Sequence, residues 1–347
     1  MGNKIVTDIA QDNQFDAGAK ARADATAIFT RSGFEPVVLF HRKHSGCIRL
    51  LQALTALKAV CKGVGDGELI VLQYPYHALI MRLFLKAVQR YKRKVNCKVV
   101  LLLHDVNYLR SKRFFKGGAK RTKEREIFFF NQADALVVNT PAMCEKLKTD
   151  GVTSPMYALD VFDYLYEGAC ARIPQSATTQ VVFAGNLSAE KSGFLYQLPT
   201  FEGVTLHVYG QGFADGNSNP AVRYCGSFPP DTLIENLQGH YGLVWDGNSS
   251  NGCQGEYGEY LKYNAPHKLS LYLAAGLPAV VWKGSALAKF IQRHGVGVVI
   301  DNLSELQNLP NPQSEAYHAL CERVKAIATD IRSGSILKKV IEDVQAQ

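Results

Sequence analysis

The chain has 347 residues, 47% of them hydrophobic, which is enough for two cores, since one core seldom grows past ~250–300 residues before dividing. Its apolar runs, such as 99–103, fall far short of the roughly 18–20 residues that cross a bilayer, and the first ten residues lack a signal-peptide layout, so a cytoplasmic protein is expected. The eight cysteines include no C-x-x-C pair, which argues against a zinc cluster or a disulfide framework; they are read as reduced, mostly buried thiols. Of the net charge of +8, the segment from Arg110 to Arg125 alone supplies +7, through Arg110, Lys112, Arg113, Lys116, Lys120, Arg121, Lys123 and Arg125 against Glu124. Mixed with Phe114 and Phe115, this run suits anionic lipid headgroups, nucleic acid, or a solvated loop around Gly117-Gly118.

In chain order, a short β-type run at 4–9 precedes an Ala-rich helical stretch at 18–31, and 36–40 reads as the next strand. The alternation continues with a helix near 45–62, a strand at 69–72, a helix near 77–93, a strand at 98–103, a helix near 122–132 and a strand at 135–138. Apolar strands alternating with helices predict a parallel sheet covered on both faces. After a polar segment near 167–179, a second alternation places strands at 180–184, 205–209, 222–224, 242–245, 279–282 and 296–300, and 314–344 has helical periodicity. The expected organisation is an α/β protein of two Rossmann-like domains facing a central cleft: 1–165, a linker at 166–178, 179–330, and a C-terminal helix at 331–347 that folds back on the first domain. In such sheets ligands bind at the carboxyl ends of the strands.

The second half repeatedly sets glycine and polar residues just after strands. Gly185, Asn186 and Ser188 follow one strand, with Lys191 opening the next helix, and Gly210 and Gly212 follow another. Such positions are either ordinary turns or places where backbone N–H groups approach a phosphate. The strongest of them is "YNAPHKLSLYLAAGLPAVVW". Pro266 suits the first turn of a helix, and Lys268 in that turn opposes the helix dipole and calls for an anion. Asn264, Lys268 and the N–H groups of Leu269 and Ser270 are expected to hold a diphosphate.

This stretch, with "SALAKFI", "AGNLSAEKSGFL", "GLVWDG" and "DAGAKARAD", resembles bacterial glycosyltransferases of the GT-B type over nearly the whole chain. The resemblance is strongest to β-1,6-galactofuranosyltransferases of O-antigen synthesis and to β-glucosyltransferases that extend glycans on serine-rich adhesins. It implies a UDP-hexose donor on the C-terminal domain, no cofactor, a glycan acceptor on the N-terminal domain, and a diphosphate grip at Asn264, Lys268 and Lys191. Many retaining GT-B enzymes carry two glutamates before an A-x-G-x-P motif; here those positions are Tyr263 and Leu271, which suits inversion. No D-x-D motif is present, so Lys268 rather than a metal is expected to stabilise the leaving diphosphate.

Inversion needs a general base, expected from the N-terminal half. Asp16 and Asp105 are the candidates, and His104 stands with Asp105 at the end of a buried strand. Gly18, Lys20 and Arg22 are candidates to hold donor or acceptor. Glu256 and Glu259 could bind sugar hydroxyls, and Asp246 could cap a turn or touch the donor. A lipid-linked acceptor would let the Arg110 to Arg125 run dock on the inner membrane face. Nucleic acid is not expected as a partner, because the rest of the chain is near neutral and holds no reading motif. A homo-oligomer and a non-catalytic scaffold subunit with a GT-B shell are the remaining alternatives.

Overall fold

The computed structural model describes residues 2–9, 17–41, 46–76, 78–110, 112, 118–176, 178–214 and 219–346. The chain separates into two compact units, one of Met1–Asn13, Ala21–Leu159 and Ile336–Gln347, the other of Gln14–Lys20 and Asp160–Ser335.

Unit 1 contains a six-stranded sheet in the order β2-β1-β3-β4-β5-β6, with every pairing parallel. Its strands are β1 (Lys4–Ile9), β2 (Glu35–His41), β3 (Leu69–Tyr74), β4 (Lys98–Leu103), β5 (Ala135–Val138) and β6 (Met156–Ala158). β3 and β5 are buried along their whole length, as strands covered by helices on both faces must be. The helices are α1 (Ala17–Arg31), which counts here from Ala21 onward, α2 (Gly46–Val60), α3 (Ala78–Lys92), the short α4 (Asn107–Arg110), α5 (Ala119–Phe130) and α6 (Pro141–Thr149). α3 shows why they pack: Ile80, Met81, Phe84, Leu85 and Val88 recur at helical spacing and are all buried, while Arg82, Lys86 and Arg90 face water. The sheet order reverses between β1 and β3, which makes that pair its switch point.

Unit 2 holds a second parallel sheet in the order β12-β11-β10-β7-β8-β9. Its strands are β7 (Thr179–Ala184), β8 (Val204–Tyr209), β9 (Val222–Tyr224), β10 (Tyr241–Val244), β11 (Ala279–Trp282) and β12 (Gly297–Ile300). Between them lie α7 (Ala189–Ser192), α8 (Pro230–Asn236), α9 (Gly255–Tyr260), α10 (His267–Ala274) and α11 (Leu287–His294). Here the order reverses between β7 and β10. The C-terminal helical stretch divides at Gly334 into α12 (Glu315–Ser333) and α13 (Ser335–Ala346), and α13 from Ile336 onward belongs to unit 1.

β6, α4 and α6 have no counterpart in the sequence reading, because each is short and weakly patterned. Cysteine burial also differs from expectation. Cys97, Cys144 and Cys253 are buried, but Cys47 and Cys170 are exposed and the other three are intermediate, because none of the eight lies inside a covered strand and these five fall on the water-facing parts of helices and loops. Among the described residues no helix is long and apolar enough to cross a membrane.

Candidate active site

The carboxyl ends of β7 and β10 carry the densest group of predicted residues. Tyr272 of α10 lies flat against β10 because Gly242 opposite it has no side chain; a Cβ there would stand 2.1 Å from the ring. The Tyr272 hydroxyl accepts the Ala184 N–H at 2.8 Å, tying α10 to the last residue of β7. One turn earlier, Lys268 reaches over the strand ends and places its ammonium 2.7 Å from Asp246, just past β10, and 4.9 Å from the Phe183 ring centroid. Both side chains are about nine-tenths buried, at 11% and 7% exposure.

Gly185 is the wall behind Lys268. A Cβ on it would meet the lysine Cε at 2.9 Å, and its φ of +153° disfavours side chains. Gly210 (φ +138°) closes against Gly185 in turn, since a Cβ there would lie 1.8 Å from the Gly185 carbonyl oxygen. Lys191 completes the basic group. Its carbonyl accepts the Gly247 N–H at 2.9 Å, joining the loop after β7 to the loop after β10, and its ammonium sits 5.7 Å from the Tyr257 ring. Burial pushes the Lys268 ammonium below its ordinary range, Asp246 opposes that shift, and the charge of Lys191 adds to it. The two lysine charges thus act on each other where Lys268 meets Asp246. An ammonium has three donors, and Asp246 uses one.

Several expectations change here. Asp246 is the carboxylate partner of Lys268, a pairing the sequence reading of neither residue included. α10 begins at His267 with Pro266 as its cap, so the Leu269 N–H donates to the Pro266 carbonyl at 3.0 Å and is not turned to a diphosphate. The Leu269 side chain is core. Asn264 is half-buried beside this turn, its backbone N–H held by the Tyr260 carbonyl. Asn186 is exposed and accepts the Ser188 N–H at 2.9 Å, an Asx turn that shapes the entry to α7. Glu256 is exposed in α9, and Gly18 is exposed near the start of α1. Lys20 is buried, and its ammonium donates to the Leu165 carbonyl at 2.9 Å, pairs with Asp231 and lies over Tyr164.

In unit 1 the polar residues converge on the β1/β3 switch point. Arg22 is buried, with its guanidinium 3.2 Å from Asp8 and donating to the carbonyls of Gln73 and Pro75. That occupation gives the Arg22 guanidinium three partners within unit 1. Gln73 has no exposed surface, and its Nε2 faces Thr26 Oγ1 at 2.8 Å, Thr7 Oγ1 at 3.2 Å and the Arg22 carbonyl at 3.2 Å. The Thr26 hydroxyl gives its own proton to the Arg22 carbonyl, so it must accept from Gln73, which fixes the amide orientation. Gln73 Oε1 is then the group 2.7 Å from His104 Nε2. A carbonyl oxygen only accepts, so the neutral His104 ring carries its proton on Nε2 and its basic nitrogen is Nδ1. Asp105 pairs with Arg110 at 2.7 Å. Asp16 lies outside the described residues.

Two family profiles match the chain in tandem: "Glucosyltransferase 3-like, N-terminal domain" over residues 3–161 and "Glucosyltransferase 3-like, C-terminal domain" over 181–344. The chain belongs to the Glucosyltransferase 3-like family. It is 30% identical over 335 residues to the beta-1,6-galactofuranosyltransferase WbbI of Escherichia coli K12, covering 95% of this chain and 94% of that protein. It is 29% identical over 292 residues to Glucosyltransferase 3 of Streptococcus gordonii, covering 83% and 82%. Among solved structures, Anabaena HepE in complex with UDP and glucose superposes with a TM-score of 0.60 at 14% identity, over 99% of this chain and 100% of that one. The lipopolysaccharide outer core galactosyltransferase WaaB does so with 0.60 at 11% identity, over 98% and 99%. The fold is GT-B, and the protein is a glycosyltransferase.

Sequence reasoning missed Asp8 and Gln73 of this glycosyltransferase. Their signal was a polar residue inside an apolar strand, which the strand assignment absorbed. The basic run also proves uneven. Arg110 is paired with Asp105, Lys123 with Asp150 and Lys120 with Glu124, while Arg121 and Arg125 turn toward α3; residues 111 and 113–117 lie outside the described part.

Proposed function

We propose that the protein is an inverting, metal-independent transferase that moves a hexosyl group, galactofuranose, from UDP to a hydroxyl of a lipid-carried bacterial surface glycan at the inner face of the membrane. The observation that carries the reading is the Lys268–Asp246 pair, with Lys191 beside it, at the switch point of the unit 2 sheet. HepE, which shares the fold, is bound to UDP and glucose. The galactofuranosyl assignment is supported by the name and near-complete coverage of WbbI, and inversion by its β linkage and by Tyr263 and Leu271 at the positions of acids in retaining relatives.

In the step itself a general base takes the acceptor O–H proton while the acceptor oxygen bonds the anomeric carbon. The anomeric carbon–phosphate oxygen bond breaks, and its electron pair leaves on UDP. Lys268 and Lys191 face the charge that develops there. Asp246 holds the Lys268 ammonium in place, and the base later returns its proton to water. The second reading is a UDP-glucose-dependent β-glucosyltransferase, favoured by the similarity to Glucosyltransferase 3.

A hydrolysis and transfer screen against UDP-galactofuranose, UDP-galactose, UDP-glucose and UDP-N-acetylglucosamine tests both readings. Turnover of the first supports the main one and of the third the second. No turnover with any donor, with or without a glycan acceptor, sinks both.

A further inference from the structure

The outer face of unit 1 carries a second feature. Strands β2, β3, β4 and β5 succeed one another in a single direction across the sheet, so right-handed crossovers set α2, α3 and α5 on the same side. α2 packs on α3, and α3 on α5. Seven large hydrophobic side chains are exposed among the described residues, and five of them, Ile48, Leu51, Leu54, Leu79 and Phe128, lie on these three helices. Leu51 is the most exposed, at 66%. Between α3 and α5 runs an open cavity of about 600 Å³ lined by Arg82, Lys86, Arg121 and Arg125, with Glu124 as its one acid. None of those four cations makes an ion pair with a carboxylate among the described residues, in contrast to Arg110 and Lys123.

We infer that this layer is a docking face for an anionic bilayer, with the α3–α5 cavity taking lipid phosphates and the leucines of α2 and Phe128 entering the interface. Exposed apolar side chains rimmed by unpaired cations match a surface that is anionic outside and apolar beneath. A second copy of the chain fits less well, because a symmetric pairing would set the same basic cavities against each other. A nucleic acid would leave the leucines in water. The docking face differs from the Arg110 to Arg125 run in including α2 and α3, and it draws on the proposed transfer only for its purpose, bringing the enzyme to a lipid-carried acceptor.

Flotation of the full chain with vesicles tests the inference. Vesicles of phosphatidylcholine and phosphatidylglycerol in equal amounts are expected to capture the protein at low salt, and pure phosphatidylcholine is not. The quadruple variant Arg82→Ser, Lys86→Ser, Arg121→Ser, Arg125→Ser should weaken capture by about fivefold per charge removed, and the Arg121→Ser, Arg125→Ser pair by about 25-fold. Leu51→Ser with Phe128→Ser should leave a weaker binding that salt abolishes. Unchanged urea unfolding and UDP affinity show that each variant is folded. Equal capture by the two vesicle types, or equal capture of wild type and the charge variants, overturns the inference. So does a wild-type dimer that Leu51→Asp splits without loss of vesicle binding, or salt-sensitive binding of nucleic acid with none to vesicles. Vesicle binding without turnover of any UDP-sugar leaves the docking face standing and removes the transfer reading instead.

Discussion

Lys268 and Asp246 face each other at 2.7 Å between the ends of two adjacent strands, and neither is open to bulk water. Removing one partner of such a pair strands the other charge, which costs about 3–5 kcal/mol. Lys268→Ala is therefore expected to lower unfolding stability by that order as well as UDP affinity, the latter by about 10–100-fold for the loss of a charge-assisted hydrogen bond. Lys268→Met combined with Asp246→Asn should recover most of the stability and none of the affinity. Urea unfolding and calorimetric UDP titration of the three proteins check this. Recovery of affinity in the double variant would show that the lysine does not contact the diphosphate.

Gly185 and Gly210 separate the site from its support. At Gly185 an added Cβ meets the flexible end of Lys268, which can shift, so Gly185→Ala should lower UDP affinity about tenfold while the fold survives. At Gly210 the obstacle is the Gly185 carbonyl, which cannot shift without opening the β7–β8 pairing. Gly210→Ala should cost about 3 kcal/mol or more. Thermal unfolding beside UDP binding distinguishes the two outcomes.

Much of this was legible in the sequence for one physical reason: strands of a covered parallel sheet read as apolar runs, so "VVLLL" and "AVVW" announce themselves. Lys268 was legible because a cation among core leucines is out of place. Its partner was not, since Asp246 lies 22 positions away and meets it only through the strand order of unit 2. The Asp8–Arg22–Gln73–His104 network stayed hidden for the same reason. Its members come from β1, α1, β3 and the end of β4, and only the pairing of β3 with both β1 and β4 brings them together.

That network yields a stability expectation. Gln73 fixes which His104 ring nitrogen carries the proton. Gln73→Leu should release the tautomer and, by leaving buried hydrogen-bond partners of the amide unmatched, lower unfolding stability by about 1–3 kcal/mol as read by urea unfolding. Gln73→Glu keeps an acceptor opposite Nε2 and should keep the tautomer. Nitrogen-15 NMR of the histidine ring reads the tautomer directly. A wild-type ring protonated on Nδ1 would contradict the assignment.

His267, the first residue of α10, sets a pH expectation for the whole of unit 2. Burial among Phe162 and Tyr164 drives its imidazole down to about 4; the Asp163 carbonyl at 3.2 Å opposes the shift and the Lys20 charge adds to it. The unfolded chain takes up the proton near pH 6.5 and the folded protein only near 4, so between those values the unfolded state binds more protons. Stability from this group is therefore fully present above about pH 6.5 and is lost as pH falls toward 4. Between pH 7 and pH 5 the loss amounts to about 2 kcal/mol. His267→Gln, which keeps a side-chain amide donor for the Asp163 carbonyl, should flatten that slope while lowering stability slightly at pH 7. Urea unfolding of both proteins at pH 7 and pH 5 measures the difference; identical slopes would mean that His267 titrates in the folded protein as it does in the unfolded chain.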